Sequence, residues 1–264
     1  GGSNNMRIAH IMRIALLLCV SVSHLCVAAI QHACGRTPSR SKILCAEQAT
    51  VLPRLPDLDD PEVLMASHGF SEAANWLIPG HVLVGANPTK GRGSSLNRLV
   101  PIICDAGCTT LVSLQEELPP IDSADPEWLY RPENYCTDAE ACAAEPPAFV
   151  HYPITDLHPA TSIEWLTNAV DELAERVRRG ERLYIHCFAG RGRTGLVACC
   201  LLGVLYEGID AKEALDRVGA YYRLRVGYNA GQGRAADGMS PETEPQREQV
   251  REFFASRQQL RTRE

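Results

Sequence analysis

At 264 residues, 45% of them hydrophobic, the chain has material for one sizeable core, and no second domain is required. A formal charge of −6 and only 6% aromatic residues exclude general nucleic-acid binding by an electropositive surface. The 11 cysteines do not read as a secreted disulfide scaffold, because a chain this long does not need one, and no zinc-like pairing stands out.

In chain order, residues 1–46 stand apart. They contain Arg7, Arg13, Arg36, Arg40 and Lys42 but no acid, the first of which is Glu47. Ile14 to Ile30 is mostly apolar, interrupted by Ser21, Ser23 and His24, and ends near the small residues Val27-Ala28-Ala29. That pattern predicts a targeting segment, removed on maturation: a secretory signal, or a bipartite transit signal given the basic, hydroxyl-rich stretch from Gln31 to Lys42. The run is short and broken for a stable membrane span, which needs about 20 apolar residues. An organelle such as a plastid or mitochondrion, or the secretory pathway, is the expected destination.

Residues 47–75 read as a linker, with Pro and Asp concentrated between Leu52 and Pro61. A folded domain is expected over 76–264. Trp76 to Gly85 reads as its first strand, Leu96 to Ala106 as a helix and Thr109 to Leu114 as a β-branched strand. Between 115 and 147 comes an insertion with nine acidic residues, among them Glu116 and Glu117, interspersed prolines and one basic residue, Arg131. So long a connection is either a solvated excursion or a flap beside a pocket. Cys136 and Cys142 could staple it. Val150 to Ile154 is apolar and strand-like. Ser162 to Arg179 carries Ile163, Leu166, Val170, Leu173 and Val177 at helical spacing. Further helices are expected over Leu196 to Tyr206, Ala211 to Leu224 and Gln246 to Leu260. Strands alternating with helices predict an α/β fold, a central and mostly parallel sheet flanked by helices on both faces.

Inside that frame lies His186-Cys187-Phe188-Ala189-Gly190-Arg191-Gly192-Arg193-Thr194-Gly195, between the short apolar run Leu183-Tyr184-Ile185 and the helical run from Leu196. Strand, glycine-rich turn and helix aim backbone N–H groups and a helix N-terminus at one point, where an anion would sit. The same positive end favours a thiolate at the strand's end. Arg193 can return over the loop and grip two oxygens of a phosphate with its planar fork.

Cys-(five residues)-Arg-Thr-Gly in this setting resembles the signature of the cysteine-dependent protein tyrosine phosphatase superfamily, in its dual-specificity phosphatase-like branch. The resemblance covers about 180 residues, Trp76 to Leu260, and implies that family's phosphatase fold, with no metal or organic cofactor. It implies Cys187 as nucleophile, with Arg193 and the amides of Phe188, Ala189, Gly190, Arg191 and Gly192 holding the phosphate. Asp156, 31 residues before Cys187 in an apolar-x-Asp-x-x-Pro segment, matches the general acid. Its plain alternative is helix capping, for which Thr161 or Ser162 is better placed. Thr194 would donate to the sulfur. Gln246, in Pro-Glu-Thr-x-x-Gln, matches a glutamine that orients the hydrolytic water, although an acidic first helical turn explains the Glu residues equally well. His186 would support the loop from beneath.

The expected substrate is a phosphorylated protein, phosphotyrosine or dual specificity. Arg191 falls where phosphoinositide phosphatases carry an extra cation, which keeps a phosphoinositide as the alternative, although Phe188 stands where their second cation would be. A catalytically silent phosphate-binding module is the alternative from a different class. Retention of Cys187, Arg193 and Asp156 together favours an enzyme.

Overall fold

The computed structural model describes residues 50–88, 99–117, 147–225 and 238–261. The targeting segment, most of the acidic insertion with Cys136 and Cys142, and residues 96–98 of the expected helix fall outside these. No helix among the described residues is long and apolar enough to cross a membrane.

Residues 50–75 are not the spacer that their Pro and Asp content predicts. Leu52, Leu55 and Leu58, spaced three apart, pack on the core. Tyr206 donates to Pro53 O (2.9 Å) and Arg217 Nη1 to Pro56 O (2.7 Å). Helix α1, Pro61–His68, follows with Asp60 as its N-cap and a proline in its first turn, where the missing N–H costs nothing. It buries Leu64 and His68, and the His68 ring stacks on Tyr221 at 3.7 Å.

The expected first strand is a hairpin. Strand β1, Ala74–Ile78, and strand β2, Val82–Gly85, pair antiparallel across Pro79-Gly80. Gly80 takes φ +76°, and His81 N–H returns to Ile78 O at 3.0 Å, as a Pro-Gly turn with a left-handed second residue demands. Helix α2, Leu99–Asp105, and strand β3, Thr110–Gln115, come next, then strand β4, Ala148–Ile154, and helix α3, Ile163–Arg178. Strand β5, Leu183–His186, leads to helices α4, Gly192–Leu205, α5, Ala211–Arg223, and α6, Glu244–Arg261.

The sheet order is β1-β2-β5-β3-β4, parallel in every pair but the hairpin. This is the expected mostly parallel α/β sheet, and β5 is its central strand, all four residues buried. The two faces are covered unequally. Leu99, Val100 and Ile103 of α2 pack with Leu83, Leu111 and Tyr184 on one face. The other carries α3, α4, α5 and α6 over Val82, Val84, Val112 and Ile185. Helix α3 lays down the stripe Leu166, Ala169, Val170, Leu173, Ala174 and Val177, the helical period in full. Helix α4 lies in the middle of that layer, with every residue from Gly192 to Leu202 buried. A fully buried leucine there contributes about 1.5–3 kcal/mol of transfer free energy. The consequence is positional: the central strand and the most buried helix meet at residues 187–191.

Candidate active site

Cys187 ends the central strand and is 3% exposed. The turn after it must double back tightly beside β2. Gly190 takes φ +65°, and a Cβ on it would lie 2.2 Å from the carbonyl carbon and oxygen of Gly85, so only glycine fits. The loop's carbonyls are tied down on its outer side. Asn87 N–H donates to Phe188 O (3.1 Å), Arg225 Nη1 to Gly190 O (2.9 Å) and Ser240 Oγ to Arg191 O (2.8 Å). In a trans peptide the following N–H points the opposite way, so the amides of Ala189, Arg191 and Gly192 face inward. Helix α4 begins at Gly192 without a side-chain cap, leaving its first N–H groups open toward the same point. Phe188 and Ala189 are the partly exposed residues of an otherwise buried loop.

Arg193 is 1% exposed and carries the densest set of contacts at the site. Its Nη1 donates to Glu117 Oε2 (2.6 Å) and Ile154 O (3.0 Å), and its Nη2 to Glu117 Oε1 (2.9 Å). Asp156 Oδ1 lies 2.8 Å from the same Nη2. The loop that bears the nucleophile and the segment that bears the expected acid therefore meet on one guanidinium. Ser162 caps α3 through Trp165 N–H at 3.1 Å, which leaves Asp156 without that duty. Arg193 Nε and Thr194 Oγ1 are buried and have no hydrogen-bond partner among the described residues. The expected Thr194-to-sulfur bond is thus not made in this state. Two orphaned donors side by side in a buried, positive loop call for an acceptor.

Glu117 was visible from sequence only as one acid among nine. It sits two residues past β3, at the sheet end where the loop lies. Gln115 Nε2 donates to its Oε1 (3.0 Å), and Asn87 Nδ2 donates to Gln115 Oε1 (2.6 Å), which ties Arg193 back to the residue that holds Phe188. Burial alone would raise the Glu117 carboxyl, but hydrogen bonds and charge from Arg193 outweigh it and hold the pKa below the usual range. The same partnership raises Arg193 against its own burial. His186 is fully buried, with Nδ1 3.3 Å from Cys187 O. Burial drives its pKa down to about 3, so it stays neutral and moves no proton near pH 7.

Two expected roles change. Arg191 does not stand as a second cation in the pocket: its Nε donates to Met239 O (2.7 Å) and its Nη1 lies 3.5 Å from Glu242. The segment after residue 238 folds back under the loop and takes that side chain with it. Gln246 is fully buried, and both ends of its amide bind backbone. Oε1 accepts from Thr243 N–H (3.1 Å), half of a capping box, and Nε2 donates to His158 O (3.0 Å). It is a strut between α6 and the acid segment, packed against Gly192, rather than an amide held open for a water. No motif in the sequence marks Arg225. From just past α5 it reaches Asn75 Oδ1 (2.7 Å), Gly190 O and Val84 O (3.1 Å), fastening the loop to β1 and β2.

Comparison with known proteins gives a consistent picture. Residues 71–250 match the family model described as Swiss Army Knife protein, DSP-PTPase phosphatase domain. Cyclin-dependent kinase inhibitor 3 of Rattus norvegicus is 36% identical over 66 residues, 25% of this chain and 31% of that protein. Phosphatidylglycerophosphate phosphatase PTPMT1 of Arabidopsis thaliana is 29% identical over 136 residues, 52% of this chain and 35% of that protein. The chain spans about a third of the length of the curated relatives it matches. Among solved structures, Tk-PTP in the active form aligns with a TM-score of 0.46 at 24% identity, covering 69% of this chain and 97% of that one.

Proposed function

The chain belongs to the DSP-PTPase phosphatase domain family, and from that premise we propose that it hydrolyses phosphomonoesters through a phosphocysteine intermediate. The observation that carries the reading is the Arg193 guanidinium. It is buried in the loop that bears Cys187, its Nη2 lies 2.8 Å from Asp156, and its Nε–H has no partner among the described residues, which leaves it for an oxyanion.

In the first step Cys187 Sγ, as thiolate, attacks phosphorus while the bond from phosphorus to the ester oxygen breaks. Asp156, protonated, gives its proton to that leaving oxygen. Arg193 Nε and the inward amides hold the equatorial oxygens and the charge that develops on them. In the second step a water attacks phosphorus, Asp156 takes its proton and the sulfur leaves as thiolate. Thr194 Oγ1, the second orphaned donor, is adjacent in sequence to Arg193 and can turn to that sulfur.

A phosphorylated protein is the favoured substrate, phosphotyrosine with phosphoserine or phosphothreonine accepted. Arg191 supports this choice: it is engaged with Met239 O and Glu242, so the extra cation that argued for a polyphosphorylated inositol head group is already committed. A phospholipid is the second reading, favoured by the likeness to a phosphatidylglycerophosphate phosphatase. The test is hydrolysis of a small aryl phosphate by the wild type and by Cys187→Ser, followed by a panel of phosphopeptides and phospholipids. Turnover by wild type and none by the variant is expected. Turnover that survives Cys187→Ser overturns the mechanism, and phosphopeptide binding by an inactive wild type selects the silent module.

A further inference from the structure

We propose that Gln249 is a positioning residue that clamps the acid segment in its closed place over Arg193. The proposal rests on the phosphatase reading above. Gln249 lies on α6, is 7% exposed and grips a single residue of that segment at both ends of its amide. Oε1 accepts from Ala160 N–H (2.7 Å) and Nε2 donates to Ala160 O (2.8 Å). Two further side chains from the start of the same helix join it, at steps of three residues that share one side of a helix. Thr243 Oγ1 donates to Leu157 O (3.1 Å) and Gln246 Nε2 to His158 O (3.0 Å).

The segment holds itself only in part, by one turn from His158 N–H to Thr155 O (3.1 Å) and by His158 Nδ1, 2.7 Å from Asp156 O. Leu157, immediately after Asp156, has φ +63°, the left-handed region that a branched apolar side chain avoids, and it is 45% exposed. Its side chain therefore gains little from burial that could offset the strain. Such a conformation persists only where the surroundings over-determine it, and here the local turn is reinforced by three polar side chains from Thr243 and α6. Asp156 itself is 63% exposed, yet its carboxylate stands 2.8 Å from Arg193 Nη2. Released from Ala160 and Leu157, the segment relaxes toward negative φ and carries the acid away from the leaving oxygen. Among the three, Gln249 binds the segment most completely. It is also separate from the phosphate loop, whereas Gln246 packs against Gly192.

The test uses the full chain and two substrates, a nitrophenyl phosphate and an alkyl phosphate. kcat/KM reports the first step, and only the alkyl leaving group depends strongly on the acid. Gln249→Leu removes both bonds, and Gln249→Glu keeps the acceptor for Ala160 N–H. Expected is a fall of about 10- to 100-fold on the alkyl ester for Gln249→Leu. The aryl ester should fall only a few-fold, the basic limb of the pH profile should flatten, and Gln249→Glu should recover part of the loss. In an Asp156→Asn background, Gln249→Leu should add nothing further. Equal losses on both substrates, or additivity with Asp156→Asn, overturn the clamp. Should Gln249→Leu fail to fold, Gln249→Glu carries the same comparison with a smaller loss. A wild type that turns over neither substrate overturns the phosphatase reading, and the clamp falls with it.

Discussion

The phosphate loop and the acid segment meet on Arg193, but they are built on opposite plans. The loop is fixed by close packing as well as by hydrogen bonds: Gly190 nests against the Gly85 backbone, the carbonyls of Phe188, Gly190 and Arg191 are pinned outward by Asn87 N–H, Arg225 and Ser240, and α4 starts in a buried core. The acid segment lacks that close packing and has only a local turn of its own, His158 N–H to Thr155 O. It is exposed at Asp156 and Leu157, strained at Leu157, and held by side chains that arrive from a helix up to 89 residues away. The anion cradle is thus rigid by shape, whereas the proton donor is rigid only by polar contacts. Changes in the first should destroy binding and fold together, and changes in the second should grade the chemistry while leaving the fold standing.

Gly190→Ala attacks the rigid side and should have the largest effect. A Cβ placed 2.2 Å from the Gly85 backbone, on a residue at φ +65°, displaces the loop or β2. Overpacking with backbone strain predicts a loss of about 2–4 kcal/mol in denaturant unfolding. A shifted cradle should also lower kcat/KM by about 100-fold or more on every substrate. A variant that keeps both near wild type would show that the loop is looser than its contacts imply. Asp156→Asn attacks the other side. It should lower kcat/KM on a poor leaving group by about 100-fold or more, yet leave the unfolding free energy within about 0.5 kcal/mol, because the residue is exposed. A stability loss matching that of Gly190→Ala would erase the distinction between the two regions.

The same contrast explains what could be read without coordinates. The Cys187-to-Gly195 run, the α3 stripe and the apolar α4 are local patterns, so a short window contains all that specifies them. Pro79-Gly80 was also a local signal, but apolar residues on both sides made two strands look like one. Leu52, Leu55 and Leu58 lay within a stretch whose composition suggested a linker, and nothing nearby in the chain reveals that α3 to α5 offer them a surface. Glu117, Arg225 and Gln249 reach partners 76, 35 and 89 residues away, and no periodicity encodes such contacts. Arg191 and Gln246 show the remaining difficulty. Their positions in motifs were readable, but the direction of each side chain was set by the segment 238–243, which folds back beneath the loop.

Glu117→Gln probes the partner of the guanidinium on which the two regions meet. The side chain keeps its shape but loses the charge that faces a buried guanidinium. Because Glu117 is 37% exposed, solvent screening limits the expected loss to about 1 kcal/mol near pH 7. The pH dependence has a definite sign. The folded-state pKa of Glu117 lies below the ordinary glutamate value, so the folded protein binds this proton less readily than the unfolded chain. Its contribution is complete above about pH 4.5 and disappears as pH falls through the lower folded value. The difference in Tm between wild type and variant should therefore be largest at pH 7 and shrink toward pH 3. A gap that widens on acidification would mean that Arg193 is not what holds the carboxylate.

Thr243→Val is the gentlest change and the most discriminating for the acid segment. Valine matches the shape of threonine, and the Thr243 carbonyl, which accepts from Arg247 N–H, is untouched, so α6 should still begin at the same residue. Only the donation to Leu157 O is lost, a bond expected to contribute about 0.5–1.5 kcal/mol. That bond acts on the strained residue itself, so its loss should appear less in global unfolding than in faster amide exchange at Leu157 and His158. A few-fold loss of kcat/KM restricted to poor leaving groups should accompany it, and Thr243→Ser, which restores the hydroxyl, should reverse both. If exchange rises equally in the phosphate loop, the two regions open together, and the acid segment is no more separable from the cradle than one turn of a helix is from the next.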